Sequence, residues 1–328
     1  MDTWQDSWVA KEQLLGSEYA LFGVFDGHGV EGRAVSTAVS ELLPKLLKKK
    51  LKHWDDNSSI HDIDSLVSKC FDECHTELHQ RPGLNCSFSG STCVTALISA
   101  HRLIVANVGD SRCILGRVSS DQEVMALDMT NDHNPQLLAE ANRVLAAGGR
   151  IAAYTLQGKS QGPLRVWLRD DDIPGLAMTR SFGDLVAASV GVSHMPEILD
   201  YELTAEDKYL LLVSDGIHEH MASHEIVELV HYCVTVRQGM DIIQVSQVLV
   251  EEARRRWTLK DPSGTVDDCT ALIILLSDDR ALPHHQSNNK HLSTDHGAGD
   301  KAKTSHAKGI SKASDFVKSF LRSYPPNH

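Results

Sequence analysis

The chain has 328 residues, 41% hydrophobic and 23% charged, and carries a net charge of −12. That balance suits one large or two ordinary globular domains and excludes a wholly disordered chain. It also disfavours nucleic acid as a partner, because phosphate neutralisation calls for a basic surface. No run approaches the roughly 20 apolar residues of a membrane span, so no membrane association is expected.

The opening "MDTWQDSW" has no apolar core of a secretory leader. Seven cysteines, an odd number without regular spacing, suit reduced thiols and predict a cytoplasmic or nuclear protein. In chain order, "LFGVF" reads as a strand, and residues 32–52 and 61–80 carry apolar residues at helical spacing. Cys70 and Cys74 stand beside His75, superficially like a metal set. They share a helix face with Leu66, Phe71 and Leu78, however, which predicts core packing.

Residues 92–116 read as a meander of three β-branched runs, "TCVTALIS", "RLIVANV" and "RCILGR". "PQLLAEANRVLAAGG" is a helix stopped by glycine, and "YTLQGKSQGPLRVWLRDDDIPG" reads as a surface loop. Strand-like "YLLLVS", helices near 223–235 and 241–257, and strand-like "CTALIILLS" close the domain. Helices, hairpin-linked strands and helices again predict an α+β fold rather than strict βαβ alternation. The segment 278–328 is polar, aperiodic and holds six of the 18 histidines, which predicts a disordered tail after a domain at 1–277. Within it, "SDFVKSFLRSYPP" could form an amphipathic helical turn starting at Ser314 or Asp315.

Gly27, Gly29 and Gly32 spell G-x-G-x-x-G between a strand and a helix, which suggests a dinucleotide turn. That fingerprint needs a second strand after the helix, and here another helix follows instead. Asp26 would also repel a pyrophosphate. A different pattern fits better. Asp26 ends "LFGVF", Asp215 ends "YLLLVS", and Asp267 stands just before "CTALIILL". In antiparallel packing these strand ends can meet at one edge, and converging carboxylates need a cation. Oxygen-only ligation favours Mg²⁺ or Mn²⁺. The plainer alternative is that each Asp-Gly simply turns the chain.

The ordered set "VFDGHG", "GST", "ANVGDSRCIL", "DIPGLAMTRSFGD", "LLLVSDGIHEHM" and "DDCTALIIL" resembles the metal-dependent protein serine/threonine phosphatases, protein phosphatase type 2C, from about Asp6 to Leu276. The resemblance implies a four-layer α-β-β-α sandwich of two antiparallel sheets flanked by helices. It also implies two Mg²⁺ or Mn²⁺ ions per active site, with room for a third, and phosphorylated proteins as substrates of a monomeric enzyme. In such enzymes a water bridging the ions attacks phosphorus. By motif, Asp26 would bridge both metals, the Gly27 carbonyl would bind one, and Asp215 and Asp267 would hold the other. Asp110 and Glu219 would sit at an additional metal. His28 matches the proton donor to the leaving group, and no cysteine or serine nucleophile is required. Gln5, Asp6, Asp184 and Asp268 fall in supporting positions. The loop "YTLQGKSQGPLRVWLRDDDIPG" matches the family's variable flap, and Arg180 either orients that flap or forms a packed salt bridge.

Two departures from the family pattern stand out. Gln5-Asp6 replaces the common Glu-Asp, and Asp268 stands where Asn is common. The family's preceding strand and its phosphate-binding arginine fall at or before Met1, so the chain is expected to start inside the domain. Two rival readings are compatible with the sequence. One is a non-catalytic pseudophosphatase that serves as a binding module, and the other is a nicotinamide oxidoreductase.

Overall fold

The computed structural model describes residues 4–15, 19–52, 54, 59–237, 240–260, 266–276 and 320–321. Strands β1 (Ser7–Leu15) and β2 (Tyr19–Phe25) pair antiparallel, and β2 runs on through Asp26 into the two-residue β3 (Gly27–His28). Helix α1 (Gly32–Lys50) buries Val35, Val39, Leu43, Leu46 and Leu47 on one face and ends on three lysines that complement its dipole. Helix α2 (Ile60–Gln80) starts at Ser59, whose Oγ accepts a bond from the Asp62 N–H. Cys70 and Cys74 are buried with Phe71 and Leu78, as the helix face predicts.

The next strands are β4 (Gly90–Ser91), β5 (Cys93–Ile98), β6 (Arg102–Val108), β7 (Arg112–Val118) and β8 (Val124–Asp128). After α3 (Leu138–Ala146) come β9 (Arg150–Leu156), β10 (Lys159–Trp167), β11 (Pro174–Leu176), β12 (Phe182–Gly183) and the short α4 (Leu185–Ala188). The chain then forms β13 (Glu197–Glu202), β14 (Asp207–Val213), α5 (Asp215–His218), α6 (Ser223–Thr235), α7 (Ile242–Lys260), β15 (Ala271–Leu275) and β16 (Phe320–Leu321).

One five-stranded sheet has the order β1-β2-β5-β6-β13 and the other β16-β15-β14-β7-β8, all antiparallel. The apolar runs are continuous because both faces of the central strands are covered. Along β2, Leu21 and Phe25 pack towards α1 and α2, whereas Ala20, Phe22 and Val24 pack into the layer between the sheets. Along β14, Tyr209, Leu211 and Val213 face α6 and α7, whereas Leu210 and Leu212 point inward. The result is the α-β-β-α sandwich.

Three expectations need correction. The run 92–116 is not one meander: β5 pairs with β6, but β7 joins β14 and β8 in the other sheet. Gly109, at φ +103, turns the chain between the two layers there. The surface loop over 154–175 is instead a three-stranded antiparallel sheet, β11-β10-β9. Gln157 and Gly158, at φ 51 and 76, make the two-residue hairpin turn that joins β9 to β10. Finally, Phe320–Leu321 is extended and pairs with β15, where the sequence suggests a helical turn. The remainder of 278–328 lies outside the described residues.

Candidate active site

The sheet registers bring the acidic residues to one edge of the sandwich. Ser7 pairs with Phe25, which sets Asp6 beside Asp26. Val213 pairs with Ala271, so Asp215 at the end of β14 stands near Asp267 and Asp268 at the start of β15. Asp110 lies in the crossover from β6 to β7, at the same edge.

Hydroxyls and close backbone approaches fix this arrangement. The Asp26 N–H donates to Thr92 Oγ1 at 3.0 Å, and Thr92 Oγ1 bonds Ser111 Oγ at 2.7 Å. The "GST" and "GDSR" motifs thus hold the backbone of the first aspartate. The Gln5 N–H donates to Asp268 Oδ2 at 2.6 Å, and Gln5 Nε2 donates to the Gly29 carbonyl at 3.0 Å. A Cβ on Gly27 would overlap the Gly32 carbonyl and one on Gly216 the Asp268 carbonyl, so both Asp-Gly pairs need their glycine.

The carboxylates crowd one another, with Asp6 buried, Asp26, Asp110, Asp215 and Asp268 half-buried and Asp267 exposed. Both oxygens of Asp6, and Oδ1 of Asp110 and of Asp215, are buried without a hydrogen-bond partner. Burial pushes the Asp26 carboxyl well up, reinforced by the charges of Asp6, Asp215, Asp110 and Asp267. Asp215 is also raised by burial, then by Asp110 and Asp267. Burial carries Asp6 up to about 7, opposed by Thr270 and reinforced by Asp268. Asp110 reaches about 6 through burial, then the charge of Asp132. Asp268 is raised by burial, against the pull of the Gln5 N–H.

Such a group is unfavourable unless protons or cations neutralise it. Orphaned carboxylate oxygens fit Mg²⁺ or Mn²⁺, because Cys269 beside them donates to the Gly216 and Asp267 carbonyls and is pushed by burial up to about 12, so it stays a neutral thiol. No three His, Cys, Asp or Glu side chains close into a ready cage among the described residues. Hard ions that keep several waters and use one or two carboxylates each do not need one.

His28 stands beside this edge. Its Nε2 is 2.6 Å from Asp184 Oδ2, and its Nδ1 is buried without a partner. Burial works against charge on the ring, but the Asp184 charge and hydrogen bond outweigh it and raise its pKa. Glu219, at the end of α5, is exposed, and its charge adds to the field on Asp110. Arg180 pairs with buried Glu140, with Nη2 to Oε1 at 2.8 Å, so the salt-bridge alternative holds.

By motif Asp6 is only a supporting residue, and Asp132 belongs to none of the motifs. The structure sets Asp6 among the carboxylates, and Asp132 holds Arg112 through bonds of 2.8 and 2.6 Å. The polar run "TNDHNP" after β8 was the only signal for Asp132.

A model of the protein phosphatase 2C family matches residues 5–261. The probable protein phosphatase 2C 72 of Arabidopsis thaliana is 35% identical over 279 residues, covering 83% of this chain and 81% of its own length. The probable protein phosphatase 2C 73 of Oryza sativa subsp. japonica is 33% identical over 299 residues, covering 83% and 69%. Among solved structures, the serine-threonine phosphatase 2C from Toxoplasma gondii matches with a TM-score of 0.71 at 20% identity, over 84% of this chain and 92% of that one. A C. elegans sex determining protein matches with a TM-score of 0.65 at 24% identity, over 84% and 62%. At those identities the two structures speak for the fold. Family match and relatives together place the chain: it belongs to the protein phosphatase 2C family and is a protein phosphatase.

Proposed function

We propose that this enzyme hydrolyses phosphoserine and phosphothreonine in proteins with Mg²⁺ or Mn²⁺ held at the acidic edge. The observation that carries the reading is the set of buried, unpartnered carboxylate oxygens on Asp6, Asp110 and Asp215, gathered from both sheets. Asp26, Asp215, Asp267 and the Gly27 carbonyl would hold two ions, with Asp6 and Asp268 close by and Asp110 and Glu219 at a further one. Such cations, when bound, supply Lewis acidity to the attacking water and the phosphoryl oxygens. The carboxylates repel a substrate phosphate until cations neutralise them, so the charge of the edge itself makes turnover metal-dependent. His28 holds the proton that passes to the departing seryl or threonyl oxygen.

The test is hydrolysis of a phosphoserine peptide with Mn²⁺ and with excess chelator, alongside calorimetric titration of the metal. Turnover should require the metal, and heat of binding should fall when Asp26 or Asp215 is replaced by Asn. Full turnover in chelator, or loss of activity to a thiol reagent alone, would sink the reading.

A further inference from the structure

His28 and Asp184 lie 156 residues apart in the chain and meet on a small sheet of order β12-β4-β3. In its register His28 stands opposite Gly90, and Gly90 opposite Gly183. The central position has no side chain. A Cβ on Gly90 would overlap Asp184 Oδ2 and stand 2.5 Å from the Phe182 carbonyl and Ser181 Oγ. Gly90 is therefore the gap through which the carboxylate reaches the imidazole.

Asp184 itself occupies the left-handed region at φ 46, ψ 49, which few residues other than Gly, Asn and Asp adopt. Its backbone N–H donates to the Ser89 carbonyl at 3.0 Å, and it is only 2% exposed. It begins α4, yet its side chain makes no capping bond to that helix. The carboxylate turns instead to Ser181 Oγ, which donates at 2.6 Å, and to His28 Nε2 at the same distance. A carboxylate kept only to start a helix would bond that helix.

We propose that Asp184 is the positioning residue of His28, holding Nε2–H so that Nδ1 is the nitrogen that delivers the proton. A carboxylate that fixes one ring nitrogen sets the tautomer and orientation of the other. In the reaction, the water oxygen bonds to phosphorus and the bond from phosphorus to the seryl oxygen breaks, leaving its electron pair on that oxygen. The Nδ1 proton passes to it and gives the free alcohol. One water proton stays with the phosphate product, and the other goes to solvent, which restores the proton on His28.

This inference rests on the reading of His28 as proton donor, and leaving-group dependence tests both. A seryl oxygen needs a proton to depart, whereas p-nitrophenolate departs readily as the anion. Asp184→Asn keeps the size and the left-handed backbone but removes the charge. Its turnover should fall about 10²-fold on a phosphoserine peptide, and by a much smaller factor on p-nitrophenyl phosphate. His28→Gln should show the same split, and the double variant should be no worse than the weaker single, because the two act as one unit. Ser181→Ala, which removes the second partner of the carboxylate, should give the split at smaller amplitude and guards against a poorly folded Asp184 variant. Thermal midpoints are measured for each.

Equal losses on both substrates in Asp184→Asn and Ser181→Ala would reduce Asp184 to a structural role and overturn the inference. A split in His28→Gln without one in Asp184→Asn would overturn it while leaving His28 as donor. No split in His28→Gln would remove both assignments, and a wild type inactive with metal would remove the reading beneath them.

Discussion

Two sets of carboxylates withdrawn from water in this molecule face opposite fates. Glu140 on α3 is 4% exposed and fully answered. Arg143 donates to both its oxygens at 2.7 Å, Thr179 Oγ1 donates at 2.7 Å, and Arg180 Nη2 donates at 2.8 Å. Burial alone would raise its pKa, yet these partners hold it well below the usual carboxylate range. At the sandwich edge Asp6 is buried and Asp26, Asp110 and Asp215 are half-buried, but against one another, and all are raised. Partial or full loss of water pushes every one of these carboxyls up, so that loss alone cannot mark a functional site. What separates them is whether the protein supplies the countercharge. Glu140 ties α3 to the Thr179–Arg180 segment, and the edge is left needing cations.

The largest effect should come from breaking the edge. Asp215→Asn should lower metal-dependent turnover on a phosphoserine peptide by about 10³-fold, roughly 4 kcal/mol. In chelator its thermal midpoint should hold or rise, because one of several repelling charges is gone. Near-normal turnover, or a midpoint several degrees lower, would mean that Asp215 is structural.

Glu140→Gln should do the reverse, leaving two guanidinium groups without their shared anion. A loss of about 3 kcal/mol is expected at neutral pH, read by denaturant unfolding. The pH dependence has a definite sign. The folded pKa is depressed, so the stabilisation is complete above the ordinary value of 4.5 and is lost as pH falls through the lower folded value. The gap between wild type and variant should therefore narrow below that point. A gap constant down to strongly acid pH would show that the carboxylate charge is not what stabilises α3. Adding Mn²⁺ at about 100 times its dissociation constant should stabilise the wild type by ~2.7 kcal/mol. Asp215→Asn should lose most of that gain, and Glu140→Gln should keep it.

Much of this contrast was legible in the sequence, for a physical reason. Asp26 and Asp215 each follow a continuous apolar run, and such runs become central strands buried on both faces, so their ends have few places to go. Sheet membership was less legible. The run "RCILGR" pairs with β14, almost a hundred residues later in the chain, and nothing local distinguishes that from pairing with β6. The flap hairpin hid because its turn is Gln-Gly rather than Asn-Gly and β10 is mostly exposed. Asp6 was undervalued because only the register of β1 against β2 sets it beside Asp26. The motif marks Asp184 as a supporting residue, but that it supports His28 could not be read without its backbone conformation and the bare Gly90 facing it.

The smallest expected effect, and the finest test of the comparison, is Gln5→Glu. Gln5 is anchored at this edge: its N–H holds Asp268, its carbonyl accepts from Ser36 Oγ at 2.5 Å, and its Nε2 donates to the Gly29 carbonyl. A glutamate keeps the backbone bonds but cannot donate to Gly29, and its oxygen would repel that carbonyl. The freed carboxylate then adds a negative charge beside a group that already lacks counterions. In chelator the variant should be less stable than wild type. With metal the same charge should attract cations more strongly, lowering the Mn²⁺ concentration for half-maximal activity about tenfold, a change of ~1.4 kcal/mol. Solvent close to the edge limits the gain. Maximal turnover should change less, because Asp26 and Asp215 are untouched. Metal titrations of both proteins at fixed pH and substrate, with melting curves in chelator, read both halves. A variant destabilised without metal and unimproved with it would mean that the cations sit beyond reach of position 5, and that Gln5 serves the Gly29 turn alone.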